Sequence, residues 1–215
     1  MKKLLAAIFL VLFAISLNAQ NREHLAGVKW GFNLSNVSFT PEVAHEGIRT
    51  TRNYSVLYTY YHDIWEKSPY FGFQTGVSLN ETGYRMADSE YRTELYSVPL
   101  VSQFHVNFWR MRVLLNLGAY GGYRNTLTLT DYSSGEPVKQ QIQFDDEDYR
   151  LEFGFIAGGG LAFVLRPFEL HLEANYNYSL THLSDPRKGG ATRPTYSYPN
   201  NLVLSAALYF HIFDK

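Results

Sequence analysis

Between Leu151 and Leu180 an apolar side chain recurs at almost every second residue, and the phase of that repeat changes once. Leu151, Phe153, Phe155, Ala157, Leu161, Phe163 and Leu165 occupy odd positions. After Arg166-Pro167 the apolar set moves to even positions, with Phe168, Leu170, Leu172, Ala174, Tyr176, Tyr178 and Leu180. Opposite the second set stand Glu169, His171, Glu173, Asn175, Asn177 and Ser179. A period of two is the repeat of a β-strand, and each arm is much longer than the usual strand of about 5–6 residues. A two-residue turn pairs residue 165 with residue 168, so the phase change keeps both apolar sets on one face. The pattern describes a transmembrane β-hairpin, apolar outside and polar inside.

Both the start of the chain and its composition fit an exported protein. Lys2 and Lys3, the apolar stretch Leu4 to Leu17 and the small residue Ala19 read as a signal peptide over residues 1–19. That apolar stretch is too short for a spanning helix, which needs about 20 residues. A single barrel domain over residues 20–215 is expected to follow. Without Lys2 and Lys3, 17 of the 19 basic residues remain against 20 acidic ones, a net charge near −3. No basic excess supports nucleic-acid binding. The chain has no cysteine, which excludes a disulfide scaffold, a thiolate metal site and a lipoprotein anchor. Its 17 Tyr, 15 Phe and 3 Trp suit the aromatic girdles of an outer-membrane barrel. A secreted β-sandwich would have shorter strands.

Further alternating runs extend the hairpin to eight strands. They fall at about 27–38, 53–64, 70–84, 94–108, 111–127, 151–165, 168–180 and 201–213. Pro99 interrupts the fourth run and marks a bulge or a gap in pairing. Links after the second, fourth and sixth strands are short. Those after the first, third, fifth and seventh are polar and read as long loops, the outer-surface pattern of this class. The expected fold is therefore all-β, an eight-stranded antiparallel up-and-down transmembrane β-barrel in the outer membrane, with both termini periplasmic.

A barrel of eight strands is just wide enough to be filled by its own side chains. The inward sets supply Lys29, Asn33, Gln74, Gln103, His105, Arg112, Asn116, Glu152, Glu169, His171, Glu173 and Asn175. Buried charge must be paired, so Lys29, Arg112, Glu152, Glu169, His171 and Glu173 are expected to form one interior polar network. Gly158 and Gly160 fall opposite Asn175 and Glu173 and leave them room.

Catalytic patterns are sparse. Glu169 and Glu173 stand about 13 Å apart along a strand, too far for the usual general acid and base. His182-Leu183-Ser184 resembles the His-x-Ser motif of small outer-membrane lipid A deacylase barrels, where the His activates the Ser against an ester. That family also needs a downstream acid, and Asp185 and Asp214 stand at no matching place. The run Asp145 to Asp148 could hold a divalent cation or meet a basic partner. Arg187, Lys188 and Arg193 are candidates for contact with lipopolysaccharide phosphate. No cofactor is implied.

Several short motifs resemble the PorT-like family of outer-membrane β-barrels found in Bacteroidetes-type bacteria. They are GVKWGFNLSNV at 27–37, FGFQTGVSLNETGYR at 71–85, YSVPL at 96–100, LNLGAYGGYR at 115–124, FGFIAGGGLAF at 153–163 and EANYNYSLTHL at 173–183. Where that family closes its seventh strand with Gly-Leu-Thr, this chain has Ser179-Leu180-Thr181. The resemblance implies a non-enzymatic barrel acting as an envelope scaffold or an accessory to secretion or transport, with type IX secretion as the namesake's process. Its partners would be outer-membrane lipid, lipopolysaccharide and envelope proteins. An esterase using Ser184 and His182, or a small passive channel, is the alternative.

Overall fold

The computed structural model describes residues 22–62, 69–185 and 196–214. Residues 1–19, expected to be a signal peptide, and Arg187, Lys188 and Arg193 lie outside the described residues. The strands are β1 (Arg22–Thr40), β2 (Glu46–His62), β3 (Tyr70–Met86), β4 (Ser89–Phe108), β5 (Met111–Asp131), β6 (Val138–Ile142), β7 (Leu151–Leu165), β8 (Phe168–Ser179) and β9 (Tyr196–Asp214). Eight of them close a ring in chain order, and β9 returns to pair with β1 over Glu23↔Asp214 to Thr40↔Tyr196. Every pairing is antiparallel. Closure leaves no unpaired edge, which a sheet crossing hydrocarbon requires. The short strand β6 stands outside the ring and pairs only with the end of β5, from Leu127↔Ile142 to Asp131↔Val138.

The opening hairpin has the register its phase change implies. Leu165 pairs with Phe168, Gly158 with Asn175 and Gly160 with Glu173. At Pro99 the β3–β4 ladder is interrupted between Thr75↔Leu100 and Ser78↔Ser97, with no change of register. The proline leaves a gap and no bulge. The β4–β5 bulge comes later, where Leu95 pairs with Arg124 but Glu94 with Thr126. Asn125 is the extra residue, and beyond it the odd-numbered Leu127 lines the lumen.

Two expectations change. The link between β3 and β4 is a two-residue turn, Ala87-Asp88, where a long loop was expected. The strands also run further than the alternation indicates, with β2 starting at Glu46, β9 at Tyr196 and β5 ending at Asp131. The cause is common to all of them. Above the bilayer the outward face meets water, so apolar alternation stops while the hydrogen-bond ladder continues through pairs such as Thr82↔Thr93 and Met86↔Ser89.

Outward residues form a continuous apolar band that includes Val28, Val56, Val77, Leu100, Val113, Leu115, Phe153, Phe155, Leu172 and Phe210, all exposed. In β2, whose tyrosines leave the face ambiguous in sequence, Tyr54 and Tyr58 point out and Tyr61 points in. One small apolar cluster lies inside the lumen: Leu25, Leu57, Tyr61, Ala207 and Tyr209.

Candidate functional site

Glu169, His171 and Glu173 alternate along β8 and project into the lumen in one line. Residues two apart on a strand are about 6.6 Å apart, which lets the imidazole bridge the two carboxylates. His171 Nε2 lies 3.0 Å from Glu169 Oε1, and Nδ1 lies 3.4 Å from Glu173 Oε1. Other strands bring the cations. Arg112 of β5 meets Glu23 at 2.6 Å and Glu169 at 3.5 Å, and Lys29 of β1 stands 3.5 Å from Glu173. His211 of β9 reaches the second oxygen of Glu169 at 3.2 Å. The amides of Asn116 and Asn175 donate to Glu173 Oε2 at 3.3 and 2.9 Å.

The neighbours of this layer hold it in place. Tyr209 packs on the His171 ring at 4.5 Å and accepts from the Gln74 amide at 2.9 Å. The Tyr61 hydroxyl donates to Gln103, whose amide donates to Asn116 at 2.9 Å. Glycines on β7 make space on the facing wall. A Cβ added at Gly158 would lie 2.4 Å from Asn175 Oδ1, and one at Gly160 would lie 2.2 Å from the Leu172 carbonyl oxygen.

Glu152 does not belong to this layer. It sits opposite Gly122 on β5, ten residues beyond Arg112, or roughly 33 Å along the strand. Its partner is Arg124, whose Nε donates to Glu152 Oε2 at 2.8 Å, while the Tyr120 hydroxyl donates to Oε1 at 2.8 Å. Arg124 Nη1 also donates to the carbonyl oxygens of Tyr149 and His182, at 2.8 and 3.0 Å. One guanidinium thus ties β5, β7 and the connection after β8. The expected single network is two, set apart along the barrel axis. Between them the wall is mostly uncharged and polar, with Asn33, Asn53, Ser55 and Asn201 beside Lys29 around a cavity of about 50 Å³, room for a little water.

The sequence profile described as "Outer membrane protein beta-barrel domain" matches residues 7–210. The chain belongs to that family. It is an outer-membrane β-barrel protein. Comparison with curated proteins finds no match. Among solved structures, the chain is similar to Ail, the attachment invasion locus protein of Yersinia pestis, at 15% identity over 87% of this chain and 99% of that one, TM-score 0.38. It is also similar to Neisserial surface protein A, at 12% identity over 87% and 96%, TM-score 0.42. The outer membrane protease OmpT from Escherichia coli matches at 6% identity over 91% and 98%, TM-score 0.39.

In this outer-membrane barrel the His182 ring lies against Tyr198 at 4.3 Å and Tyr196 at 5.2 Å. Its Nδ1 is buried without a hydrogen-bond partner, and burial holds its pKa below the usual imidazole value. Ser184 forms a backbone bridge with Asp148. Among the described residues no hydrogen bond joins the His182 ring to the Ser184 hydroxyl. The acidic run folds on itself, with Asp148 Oδ2 accepting from the Asp145 amide at 2.9 Å. No group of three or more metal-ligating side chains occurs among the described residues.

Sequence reasoning missed Glu23 and His211 as members of the inner layer and Arg124 as the partner of Glu152. Arg124 carried a legible signal, since it is an inward cation on the strand that pairs with β7. His211 carried one too, since it shares the inward parity of Ala207 and Tyr209, whereas Glu23 precedes residue 27, where the expected first strand starts.

Proposed function

We propose that this barrel is a non-enzymatic envelope scaffold or an accessory to secretion or transport, of the PorT-like kind, with both termini in the periplasm. The observation that carries the reading is the inner charged layer. Carboxylates from β8 and cations from β1 and β5 cross-brace the lumen, as expected of a barrel that works through its loops and rim. The arrangement at His182 supports the non-enzymatic reading, since among the described residues no acid is hydrogen-bonded to its Nδ1 as a serine-activating base would need. Orientation is supported by the strand ends, because Arg22 and Asp214 lie at the end that carries the tight Trp109-Arg110 and Arg166-Pro167 turns.

Crosslinking in native membranes tests the role, and the expected product is a discrete complex with one or a few envelope proteins. Recovery of the barrel alone, together with ester hydrolysis lost in Ser184→Ala, would replace this reading with the esterase. An epitope at the C-terminus should be reachable by protease only after the outer membrane is opened.

A further inference from the structure

At the end of the barrel away from the chain termini, just above the apolar band, a bulge in β2 brings two arginines to the outer face. Tyr54, Val56 and Tyr58 point outward from even positions. Beyond them Thr51 and Arg52 together oppose the single residue Phe32 of β1, since Gly31 pairs with Asn53 but Asn33 with Thr50. The extra residue inverts parity. Thr50 is buried in the lumen, and Arg49, paired with the exposed Leu34, points outward. Re-aiming a side chain is what such bulges do, and without this one Arg49 would face inward. Arg49 and Arg52 lie within roughly 10 Å along the strand, near enough to reach one small anion.

The two arginines are held differently. Arg52 Nη1 lies 2.6 Å from Glu94 Oε1, which offsets its charge. Arg49 makes no ion pair among the described residues; its guanidinium lies over the Phe32 ring at 4.3 Å. The sequence 186–195, between Asp185 and Tyr196 at the same end, contains Arg187, Lys188 and Arg193 and no acid. An arginine at a bilayer boundary ordinarily extends towards water. Stacking on Phe32 instead keeps this charge close to the exposed girdle residues Trp30 and Tyr54. A stacked guanidinium still has its in-plane N–H donors to offer an oxyanion.

Below the arginines the lipid-facing wall is hollowed. An apolar groove of about 640 Å³ runs from Trp30 and Tyr54 past Val56, Val77, Ala206 and Leu208. Ala206 makes the hollow, a small residue between Trp30 on β1 and Leu172 on β8. Lys29, the one charged residue among the described lining, turns its ammonium into the lumen towards Glu173. An apolar groove capped by a cation without a carboxylate suits an acyl lipid with a phosphorylated head. We propose that this face holds a lipopolysaccharide molecule, with one acyl chain in the groove and one lipid A phosphate on Arg49, within reach of Arg52. Lipopolysaccharide as the source rests on the proposed orientation, which puts this end at the outer leaflet, and a failure of that orientation would show in the C-terminal epitope assay.

The test uses the full-length folded barrel in detergent, freed of endogenous lipid, with bound lipid read by native mass spectrometry. Bisphosphorylated lipid A should give a single persistent adduct. Lipid A dephosphorylated by phosphatase should bind about tenfold more weakly, the loss expected for one charge-assisted contact. Arg49→Gln should remove most of the preference for the phosphorylated form and leave the dephosphorylated form unchanged, and Arg49→Lys should restore part of it. Ala206→Phe should fill the groove and weaken both forms alike. Heat-modifiable migration verifies that each variant is folded. Equal retention of the two forms of lipid A, retention indifferent to Arg49→Gln, or displacement by millimolar inorganic phosphate would each overturn the proposal. So would phosphatidylglycerol held as tightly as bisphosphorylated lipid A.

Discussion

Glu173 has partners on three strands: Lys29 on β1, Asn116 on β5, and His171 and Asn175 beside it on β8, with Gly160 leaving it room on β7. Glu173→Leu removes the shared acceptor and leaves Lys29 and His171 facing each other without it. Breaking a buried ion pair costs roughly 3–5 kcal/mol. The same substitution at Asp146, in an outer connection, is expected to stay within about 0.5 kcal/mol. Urea midpoints of the two folded variants compare them, and equal midpoints would mean that Glu173 is hydrated and unpaired. Arg124 and Glu152 allow a stricter measurement. Arg124→Met and Glu152→Met should each destabilise, because each strands one buried charge. The double substitution should cost less than the sum of the two by about 1–3 kcal/mol. Additive losses would show that the pair contributes no coupling.

At the level of the element, β7 and β8 show what parity can and cannot reveal. The phase change at Arg166-Pro167 fixes both the register and the two faces. It thereby places Gly158 and Gly160 opposite Asn175 and Glu173, all before any coordinates. Strand ends were hidden because their signal is lipid contact, and the ladder outlasts the lipid by several residues at Met86, Ser89 and Tyr196. The inward turn of Leu127 was hidden for a different reason. A single bulged residue inverts parity downstream, and Asn125 looks like any other polar strand residue. Glycine tells the faces apart experimentally. Gly158→Ala puts a methyl within 2.3 Å of the Ala174 carbonyl oxygen, whereas at Gly121 the nearest atom is the Phe153 ring edge at 3.2 Å. Gly158→Ala should lower stability by roughly 1–3 kcal/mol, the usual cost of overpacking. Gly121→Ala should change it much less, because a ring edge can move where a backbone carbonyl in a ladder cannot. Equal unfolding midpoints for the two variants would mean that the β7–β8 ladder yields as readily as an outward-facing ring.

For the whole molecule the question is whether a ring of eight strands is a pore. Its interior has room for side chains and little else, and between the inner charged layer and the Arg124–Glu152 pair the cavity measures about 50 Å³, room for a little water. Glu23, Arg112, Glu169 and His211 fill the end near the termini, with Lys29, His171 and Glu173 above them. Then come the small polar chamber of about 50 Å³ and the Arg124–Glu152–Tyr120 group. An ion crossing the barrel would have to part at least two sets of paired charges, each held from several strands. Reconstituted into planar bilayers, the protein should therefore give no steady unitary current. Serine at Arg124 and Glu152 together should still give none, because the inner layer remains. Current should appear only when Lys29 and Glu173 are replaced as well, since that removes the braces between β1 and β8. A steady current through the unaltered barrel would require a continuous water path past Glu173, and the conduit would then displace the scaffold as its role.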